Sequence, residues 1–181
     1  MNLLLKMDFA VLDFIQKYLR CGFLDAVLPI ITTLGNKGII WIVLGVVLLL
    51  RKRTRRLGIM VLLALAMCLI IGNITLKPLI GRIRPFDINT VMEILISKPK
   101  DFSFPSGHTM SSFAAATVIF LKNRKAGIGA LILASVIGFS RLYLYVHYPS
   151  DVLGGLLIGV MIANITVRLF EKTDKKNKST E

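Results

Sequence analysis

Apolar runs long enough to cross a lipid bilayer constrain the fold of this chain more than any other feature. They lie at 36–50, 57–76, 107–121, 127–146 and 152–170, and most have the length that a hydrocarbon core of about 30 Å requires. Because backbone groups at that depth must bond to one another, runs without two-residue alternation favour helices over barrel strands. With 55% hydrophobic residues and a mean hydropathy of +0.71, the sequence predicts an all-α, polytopic membrane helix bundle.

The first 35 residues contain two shorter apolar pieces, 8–16 and 22–34, separated by charged residues. We expect 8–20 to form an interfacial amphipathic helix with Phe9, Leu12, Ile15 and Leu19 on one face. Residues 22–34 would then enter the membrane as a sixth span beside the five longer runs. The prediction is one domain, with this N-terminal region at 1–35, a transmembrane catalytic core at 36–170 and a basic cytoplasmic tail at 171–181.

The net charge of +13 is arranged in bands between the spans, at 51–56, 122–125 and 172–178. If the runs cross in alternation, all three bands lie on one side, which the positive-inside rule assigns to the cytoplasm. Solvated anchors that contact anionic head groups are the simplest interpretation. The expected partner is therefore the bilayer and not nucleic acid, and the sequence carries no signal for an oligomeric state.

The same alternation brings three polar clusters to the opposite, outer face. The first contains Lys77 and Arg84-Pro85, the second is Pro105-Ser106-Gly107-His108, and the third runs from Ser140-Arg141 through His147 to Asp151. Taken alone, each has an ordinary explanation: Lys77 or Arg82 as a snorkelling anchor, and Pro-Ser-Gly as a helix cap. Their convergence has no such explanation, because ionisable residues near membrane depth are functional candidates.

The converging residue types fit phosphate chemistry. Phosphate oxygens need fixed cations, which Lys77, Arg84 and Arg141 supply, the arginines through planar forks. The Ser106 hydroxyl and the backbone N–H groups around Gly107 would complete an anion pocket at the start of a helix.

Both histidines of the chain, His108 and His147, lie in these clusters, which suits a two-step displacement in which one ring attacks phosphorus and the other protonates the leaving oxygen. A carboxylate bonded to one ring nitrogen leaves the other free, so the partner of Asp151 should be the nucleophile. This argument selects His147, and His108 becomes the general acid and then the base for water.

The motifs Lys77-x6-Arg84-Pro85, Pro105-Ser106-Gly107-His108 and Ser140-Arg141-x5-His147-x3-Asp151 resemble the three-part signature of type-2 phosphatidic acid phosphatases. The resemblance covers residues 77–151 and implies a six-helix, metal-independent membrane phosphatase that acts on lipid phosphates at the outer face. It implies Lys77, Arg84, Ser106, Gly107 and Arg141 as phosphate binders. It further implies His108 as acid, His147 as nucleophile and Asp151 as its orienting group.

No metal or other cofactor is expected, because Asp87 and Glu93 are isolated and better explained as loop solvation. The soluble vanadium haloperoxidases share the signature, but five hydrophobic spans exclude them. The loop at about 86–104 is too short for an elaborate substrate lid.

A small basic membrane protein of this kind is typical of the bacterial cell membrane, where undecaprenyl diphosphate, phosphatidylglycerophosphate and phosphatidate are candidate substrates. We favour an isoprenoid diphosphate. A lipid-phosphate carrier or flippase that binds without hydrolysis, or a phosphotransferase with an acceptor other than water, stays open. Phe104, Phe113, Leu142 and Tyr145 could line a lipid groove, although helix packing is the simpler role for each.

Overall fold

The computed structural model describes the backbone of residues 3–178 and side chains as far as residue 173. Within that range it is helical and contains no strand, which confirms the predicted all-α class. The helices are α1 Leu3–Tyr18, α2 Gly22–Leu34, α3 Ile39–Leu50, α4 Arg55–Cys68, α5 Lys77–Ile80, α6 Pro85–Ile88, α7 Gly107–Lys122, α8 Arg124–Tyr143 and α9 Pro149–Lys178. A 3-10 turn, Asn36–Gly38, precedes α3, and a π-helical segment, Leu69–Leu76, joins α4 to α5.

Helix α7 lies at the centre of the bundle, between α4, α8 and α9. Its small residues at 114–116 are fully buried, which lets neighbouring backbones approach. On α9, a Cβ atom at Gly155 would lie 2.7 Å from the Ser106 carbonyl oxygen, and one at Gly159 would lie 2.4 Å from that of Met110. Two glycines four residues apart therefore form the contact surface, a common arrangement for close helix pairs in membranes. This contact holds the start of α7 against the start of α9.

The π-helical segment changes the helical register immediately before Lys77. Such segments are rare and often occur at functional sites. Here Asn73 faces Gly107 across the interface with α7, and Gly72 lies against the side chain of Met110. The segment thus fixes the position from which Lys77 reaches the first turn of α7.

Three helical stretches are long and apolar enough to cross a membrane: 55–88, Arg124–Tyr143 and Pro149–Thr173. A fourth crossing results if α2 and the 36–50 stretch, which are bent by 43° at their junction, form one broken span. The predicted count of five or six spans is therefore not confirmed. One reason is that 22–34 and 36–50 are joined by a bend and not by a connecting loop, and another is that α7 has only 16 residues.

Helix α1 packs on the connection between α8 and α9. Leu12 and Ile15 are buried there, and the ring of Phe9 lies 5.5 Å from that of Tyr148. Three residues of the predicted apolar face thus contact protein, whereas Leu19 follows the end of the helix and is 39% exposed.

The bundle has two chemically different ends. At one, here called the basic end, the helix junctions at 51–56 and 122–125 meet the C-terminal part of α9, where Lys122 pairs with Glu171 at 2.5 Å. At the other, here called the site end, α7 and α9 begin and α8 finishes. Helix α9 continues to Lys178, so much of the predicted tail is helical, while residues 179–181 and the lysine side chains at 175, 176 and 178 lie outside what the structure describes.

Candidate active site

The three polar clusters converge on one cavity of about 680 Å³ at the site end. Its polar lining contains all three cations and both histidines of the sequence prediction: Lys77, Arg84, His108, Arg141 and His147. The cavity also contains Asp101, which the sequence analysis did not select. The segments that carry these groups are separated by up to seventy residues in the chain and meet because α5, α7 and α8 all have an end at this level.

Lys77 and Arg84 both bind the carboxylate of Asp101. Lys77 Nζ contacts Oδ2, and Arg84 Nη2 lies 2.7 Å from Oδ1. Arg84 also donates to three backbone carbonyls, those of Asp101, Phe102 and Val146. The two cations are almost fully buried, so these partners offset the cost of removing their charge from water. The two carboxylate oxygens of Asp101 are thus bound between Lys77 and Arg84.

Arg141 enters the cavity from the last turn of α8. Its side chain is 2% exposed, and Nη1 donates to Thr32 Oγ1 at 2.6 Å. Its Nε atom is buried and has no protein acceptor in the described part of the chain. A buried, unsatisfied guanidinium donor is costly unless a ligand accepts from it. Arg141 is therefore well placed to bind an anion in the cavity.

His147 lies between Asp151 and Arg84. Its Nδ1 is 3.4 Å from Asp151 Oδ2, and its Nε2 is 3.2 Å from Arg84 Nη1. Because a guanidinium only donates, Nε2 must accept, which leaves the ring proton on Nδ1 facing the carboxylate. The arrangement produces the tautomer in which Nε2 is unprotonated, with its electron pair directed at Arg84 in the cavity.

Asp151 is held in place by several donors. Ser103 Oγ donates to its Oδ2 at 2.5 Å, and the backbone N–H of Tyr148 donates to the same atom at 2.9 Å. Arg82 Nη1 lies 2.5 Å from Oδ1. The carboxylate is fully buried, so its orientation toward His147 is fixed by these contacts.

Two groups of the site, Asp101 and His147, have pKa values shifted from their ordinary range. Burial favours the neutral form of Asp101, but the hydrogen bond from Lys77 and the charges of Lys77 and Arg84 outweigh it and lower its pKa to about 2. Burial also lowers the pKa of His147 well below its usual value, and the charges of Arg84 and Arg141 act in the same direction. His147 is consequently neutral at physiological pH, as a nucleophile must be.

His108 is held by the turn between α2 and α3. Its Nε2 lies 2.9 Å from Asn36 Oδ1, and an amide oxygen at that distance keeps a proton on Nε2. Gly35 packs directly against the ring, since a Cβ atom there would lie 2.6 Å from His108 Cδ2. The turn therefore sets both the protonation and the position of the second histidine.

Ser106 and Gly107 differ in how they meet the cavity. Ser106 is fully buried, its hydroxyl caps α7 through Thr109, and its N–H donates to the Asp151 carbonyl at 3.1 Å. Ser106 does not line the 680 Å³ cavity, and its role as a phosphate binder stays a prediction. Gly107 and His108 begin α7, so their N–H groups have no intrahelical acceptor, and a Cβ atom at Gly107 would lie 3.8 Å from Lys77 Nζ.

A second cavity of about 910 Å³ shares Asn36, Lys77, Asp101 and His108 with the first. Elsewhere its lining is mostly apolar and comes largely from α3, α4 and the first residue of the π-helical segment, including Ile39, Ile42, Leu62, Leu65 and Leu69. Phe104, Phe113, Leu142 and Tyr145, considered as groove residues from the sequence, do not line either cavity. Phe113, Leu142 and Tyr145 pack in the two hydrophobic cores, and Phe104 packs against Gly154.

Several site residues were missed from the sequence: Asp8, Thr32, Asn36, Arg82, Asp101 and Ser103. Arg82 was taken as a possible anchor, yet it binds Asp151. For Thr32 and Asn36 a signal existed, because polar residues that interrupt apolar membrane segments are functional candidates. Asp101 and Ser103 lie just before Pro105 and carried no pattern of their own. Asp87 and Glu93 are exposed, in agreement with a solvation role.

In the described part of the chain, no three His, Cys, Asp or Glu side chains form a group that could hold a metal ion. The cationic lining instead suits an anion. The cavity can bind phosphate oxygens between Lys77, Arg84 and Arg141 while His147 Nε2 faces the same space.

Comparison with known proteins gives consistent relatives. The sequence profile of the PAP2 superfamily matches residues 57–175. The chain is 30% identical over 153 residues to the undecaprenyl-diphosphatase of Sulfolobus acidocaldarius, with 84% of this chain and 73% of that protein covered. It is also 30% identical over 158 residues to phosphatidylglycerophosphatase B of Bacillus subtilis, with 80% and 74% covered.

The fold has a solved counterpart. The crystal structure of the first transmembrane PAP2 type phosphatidylglycerolphosphate phosphatase from Bacillus subtilis superposes with a TM-score of 0.77 at 26% sequence identity. The superposition covers 95% of this chain and 88% of that one, so it extends well beyond the segment matched by the family profile.

Proposed function

Since the chain belongs to the PAP2 superfamily, we propose that it is a membrane lipid phosphatase that hydrolyses a phosphate monoester or diphosphate of a lipid in the 680 Å³ cavity. The observation that carries the proposal is the environment of His147. Its Nδ1 faces Asp151, and its unprotonated Nε2 lies 3.2 Å from Arg84 Nη1 in a cavity that Lys77 and Arg141 also line. Binding alone would need the cations but not an oriented imidazole.

Substrate binding begins with displacement of Asp101. The phosphate takes the place of that carboxylate between Lys77 and Arg84, which releases Asp101 to solvent. Arg141 Nε gains the acceptor that it lacks, and the N–H groups of Gly107 and His108 donate from the start of α7. Ser106 contributes indirectly, because its cap fixes that first helical turn.

Hydrolysis then proceeds in two displacements. His147 Nε2 attacks phosphorus, and the bond from phosphorus to the lipid oxygen breaks. His108 enters this step as the imidazolium and gives its Nδ1 proton to that oxygen, while its Nε2–H stays on Asn36. Asp151 stabilises the positive charge that develops on the His147 ring. In the second step, His108 takes a proton from water, the water oxygen attacks phosphorus, and the bond from phosphorus to Nε2 breaks to release phosphate.

We propose an isoprenoid diphosphate as the preferred lipid. The apolar cavity of about 910 Å³ that adjoins Lys77 and His108 offers space for a hydrocarbon chain whose diphosphate occupies the cationic cavity. The similarity to an undecaprenyl-diphosphatase supports this choice. Phosphatidylglycerophosphate and phosphatidate are the substrates to compare, because they share the phosphate group and differ in the chain.

We also propose that the protein resides in a bacterial cell membrane with the site end outward. Five crossings result if the bent α2–α3 pair, the stretch from α4 to the π-helical segment, and α7, α8 and α9 each span the bilayer. A cysteine placed in the 86–104 loop should then react with an impermeant thiol reagent added to intact cells, and a cysteine in 51–56 should not, in a background where Cys21 and Cys68 are Ser. The reverse labelling pattern contradicts the orientation.

The test of function is phosphate release by the purified protein in detergent with excess EDTA, on undecaprenyl diphosphate, phosphatidylglycerophosphate and phosphatidate. We expect release from all three, fastest from the diphosphate, because no step above uses a metal. His147→Asn should lower kcat by at least about 10³-fold, since the nucleophile is lost, while inorganic phosphate still binds. Binding without release from any lipid by the wild-type protein would favour a carrier. Product transfer that grows with added alcohol would favour a phosphotransferase.

A further inference from the structure

A second ionic layer lies behind Asp151, on the side away from His147. Arg82 Nη1 is 2.5 Å from Asp151 Oδ1, and Arg82 Nη2 is 2.7 Å from Asp8 Oδ2. Asp8 belongs to α1, outside the 57–175 segment matched by the family profile, and it is only 3% exposed. Asp8, on the N-terminal helix, is thus linked through Arg82 to Asp151, the group that orients the proposed nucleophile.

Further hydrogen bonds fix Asp8 in this layer. Ser150 donates to it twice, from the backbone N–H to Oδ1 at 3.0 Å and from the hydroxyl to Oδ2 at 2.6 Å. Ser150 lies in the first turn of α9, where a carboxylate is favoured by the helix dipole. Asp8 therefore joins α1 to the turn that also carries Asp151.

Arg82 is restrained as well. Its guanidinium lies over the ring of Tyr148, 4.1 Å from the centroid, and Nη1 also donates to Ser150 Oγ at 2.7 Å. Both terminal nitrogens of the guanidinium are hydrogen-bonded and one of its faces stacks on Tyr148, so the guanidinium has a single orientation. It occupies Oδ1 of Asp151, so that Oδ2, which also accepts from Ser103 and the Tyr148 N–H, is the oxygen that faces His147 Nδ1.

We propose that Asp8 and Arg82 are positioning residues for His147, acting through Asp151. This proposal rests on the proposed function and adds α1 to the machinery of the site. Arg82 orients the Asp151 carboxylate, and Asp8 balances the charge of Arg82, so that one net negative charge remains to stabilise the His147 ring as it gains positive charge in the transition state.

The roles predict opposite effects on the pH profile. Without the Arg82 charge, Asp151 acts on His147 undiminished, so the pKa of His147 rises and the acid limb of kcat/KM moves to higher pH. Without the Asp8 charge, Arg82 neutralises Asp151 more fully, so the pKa of His147 falls and the acid limb moves to lower pH. The other ionisable groups around His147 stay the same in both variants: Lys77, Arg84, Asp101, His108 and Arg141.

The experiment compares Arg82→Gln, Asp8→Asn and the double variant with the wild type, using detergent-solubilised full-length protein and the preferred lipid. Each single variant should lose about 10- to 100-fold in kcat, as is usual when a group that orients a reactive ligand is removed. KM should stay within about threefold, because the phosphate-binding cations are unchanged. The acid limbs should move in opposite directions.

The double variant gives the sharpest test. Once Arg82 is absent, Asp8 only repels Asp151, so Asp8→Asn should restore part of the activity lost in Arg82→Gln. The proposal is overturned if the fold-losses in kcat of the two single variants multiply in the double variant. It is also overturned if the acid limbs of the two single variants move in the same direction or do not move. Asp13→Asn is the matched control on the same helix. Asp13 accepts a hydrogen bond from the Tyr145 hydroxyl at 3.2 Å, away from the pairing of Arg82 with Asp151, and the variant should behave as wild type.

Two readouts separate a folding defect and a failure of the proposed function from a failure of this inference. Competitive inhibition by inorganic phosphate shows that the cationic cavity is intact, and Arg82→Lys, which keeps the charge, should recover part of the activity if Arg82→Gln does not fold. If the wild-type protein releases no phosphate, the proposed function is wrong. If it does, and Asp8→Asn and Arg82→Gln match Asp13→Asn, only the positioning role is wrong.

Discussion

Clusters of positive charge lie at both ends of the bundle, and burial is what separates them. At the site end, Lys77, Arg84 and Arg141 are 6%, 3% and 2% exposed. At the basic end, the arginines and lysines of the helix junctions at 51–56 and 122–125 are exposed. The basic end carries eight of these cations against the three buried ones of the site, so the number of charges does not identify the binding site.

The partners of these charges differ in the same way. Arg84 makes hydrogen bonds to Asp101 and to three carbonyls, and such pairing is needed because a buried charge has lost its water. Lys122 at the basic end has one exposed carboxylate partner, Glu171, and water or lipid head groups can serve the rest. Buried and directed cations select an anion, whereas exposed cations only need a polar surface.

Replacing one arginine by lysine at each end should give the largest difference in kcat/KM between the two ends. Arg141→Lys keeps the charge but loses the planar fork that binds Thr32 and carries the free Nε. We expect kcat/KM to fall about 10- to 100-fold, since a hydrogen bond to a charged group contributes about 1.5–3 kcal/mol. Arg124→Lys at the basic end should stay within about twofold. Equal losses in the two variants would show that burial is not the deciding property.

Adding one methyl group at each end of the bundle tests whether kcat depends on the packing around His108. In Gly35→Ala the new Cβ would lie 2.6 Å from His108 Cδ2, so the ring must move away from Asn36. We expect kcat to fall about 10-fold, because small displacements of a catalytic group are costly. Gly129, on the basic half of α8, has open space where a Cβ would be, and Gly129→Ala should keep wild-type kinetics. An unchanged kcat in Gly35→Ala would mean that the position of His108 is not critical.

The sequence predicted the parts of the molecule that depend on local pattern. The apolar runs predicted an all-helical membrane protein, and the three motifs predicted the family that the profile match confirms. The alternation of spans predicted that Lys77, His108 and His147 would share one end, and they do. An apolar run and a sequence motif each occupy a short, continuous stretch of chain, so both can be recognised without knowing the tertiary structure.

The parts that were missed depend on contacts between distant segments. Asp8 meets Arg82 and Ser150 across 74 and 142 positions, and Thr32 meets Arg141 across 109. No periodicity records such pairs, because α1 and α2 pack against α8 and α9 through tertiary structure alone. The span count was also harder to predict, since a polar turn at Asn36 bends the chain by 43° without reversing it.

Removing one carboxylate at each end should reveal whether Asp101 competes with substrate. Asp101→Asn should lower KM about 3- to 10-fold with kcat nearly unchanged, because partly exposed ion pairs contribute on the order of 1 kcal/mol and the phosphate no longer has to break them. The matched change at the basic end, Glu171→Gln, should leave both constants unchanged. A raised KM or a lowered kcat in Asp101→Asn would instead mean that Asp101 holds Lys77 and Arg84 in place for the substrate.

The pH dependence of the difference in KM between the wild-type protein and Asp101→Asn follows from the lowered pKa of Asp101. With a pKa of about 2, the carboxylate stays charged from pH 5 to pH 8 and is lost as a competitor only as the pH falls toward 2. The ratio of the wild-type KM to that of Asp101→Asn should therefore be constant over that range. A ratio that approaches one near pH 5 would place the pKa of Asp101 far higher than the pairing with Lys77 and Arg84 implies.

The smallest effect is expected from the ion pair at the basic end. Lys122→Gln removes a pair whose side chains are 28% and 56% exposed, and exposed pairs contribute about 0.2–1 kcal/mol to stability. For a chain of this length, that corresponds to a change in Tm of at most about 4 °C in a thermal melt in detergent. Catalysis should be unchanged, whereas the same substitution at the site end, Lys77→Gln, should reduce kcat/KM by removing a buried phosphate ligand. A large loss of stability or of activity in Lys122→Gln would mean that the basic end supports the site through α7 and α9, and the two ends would then not be independent.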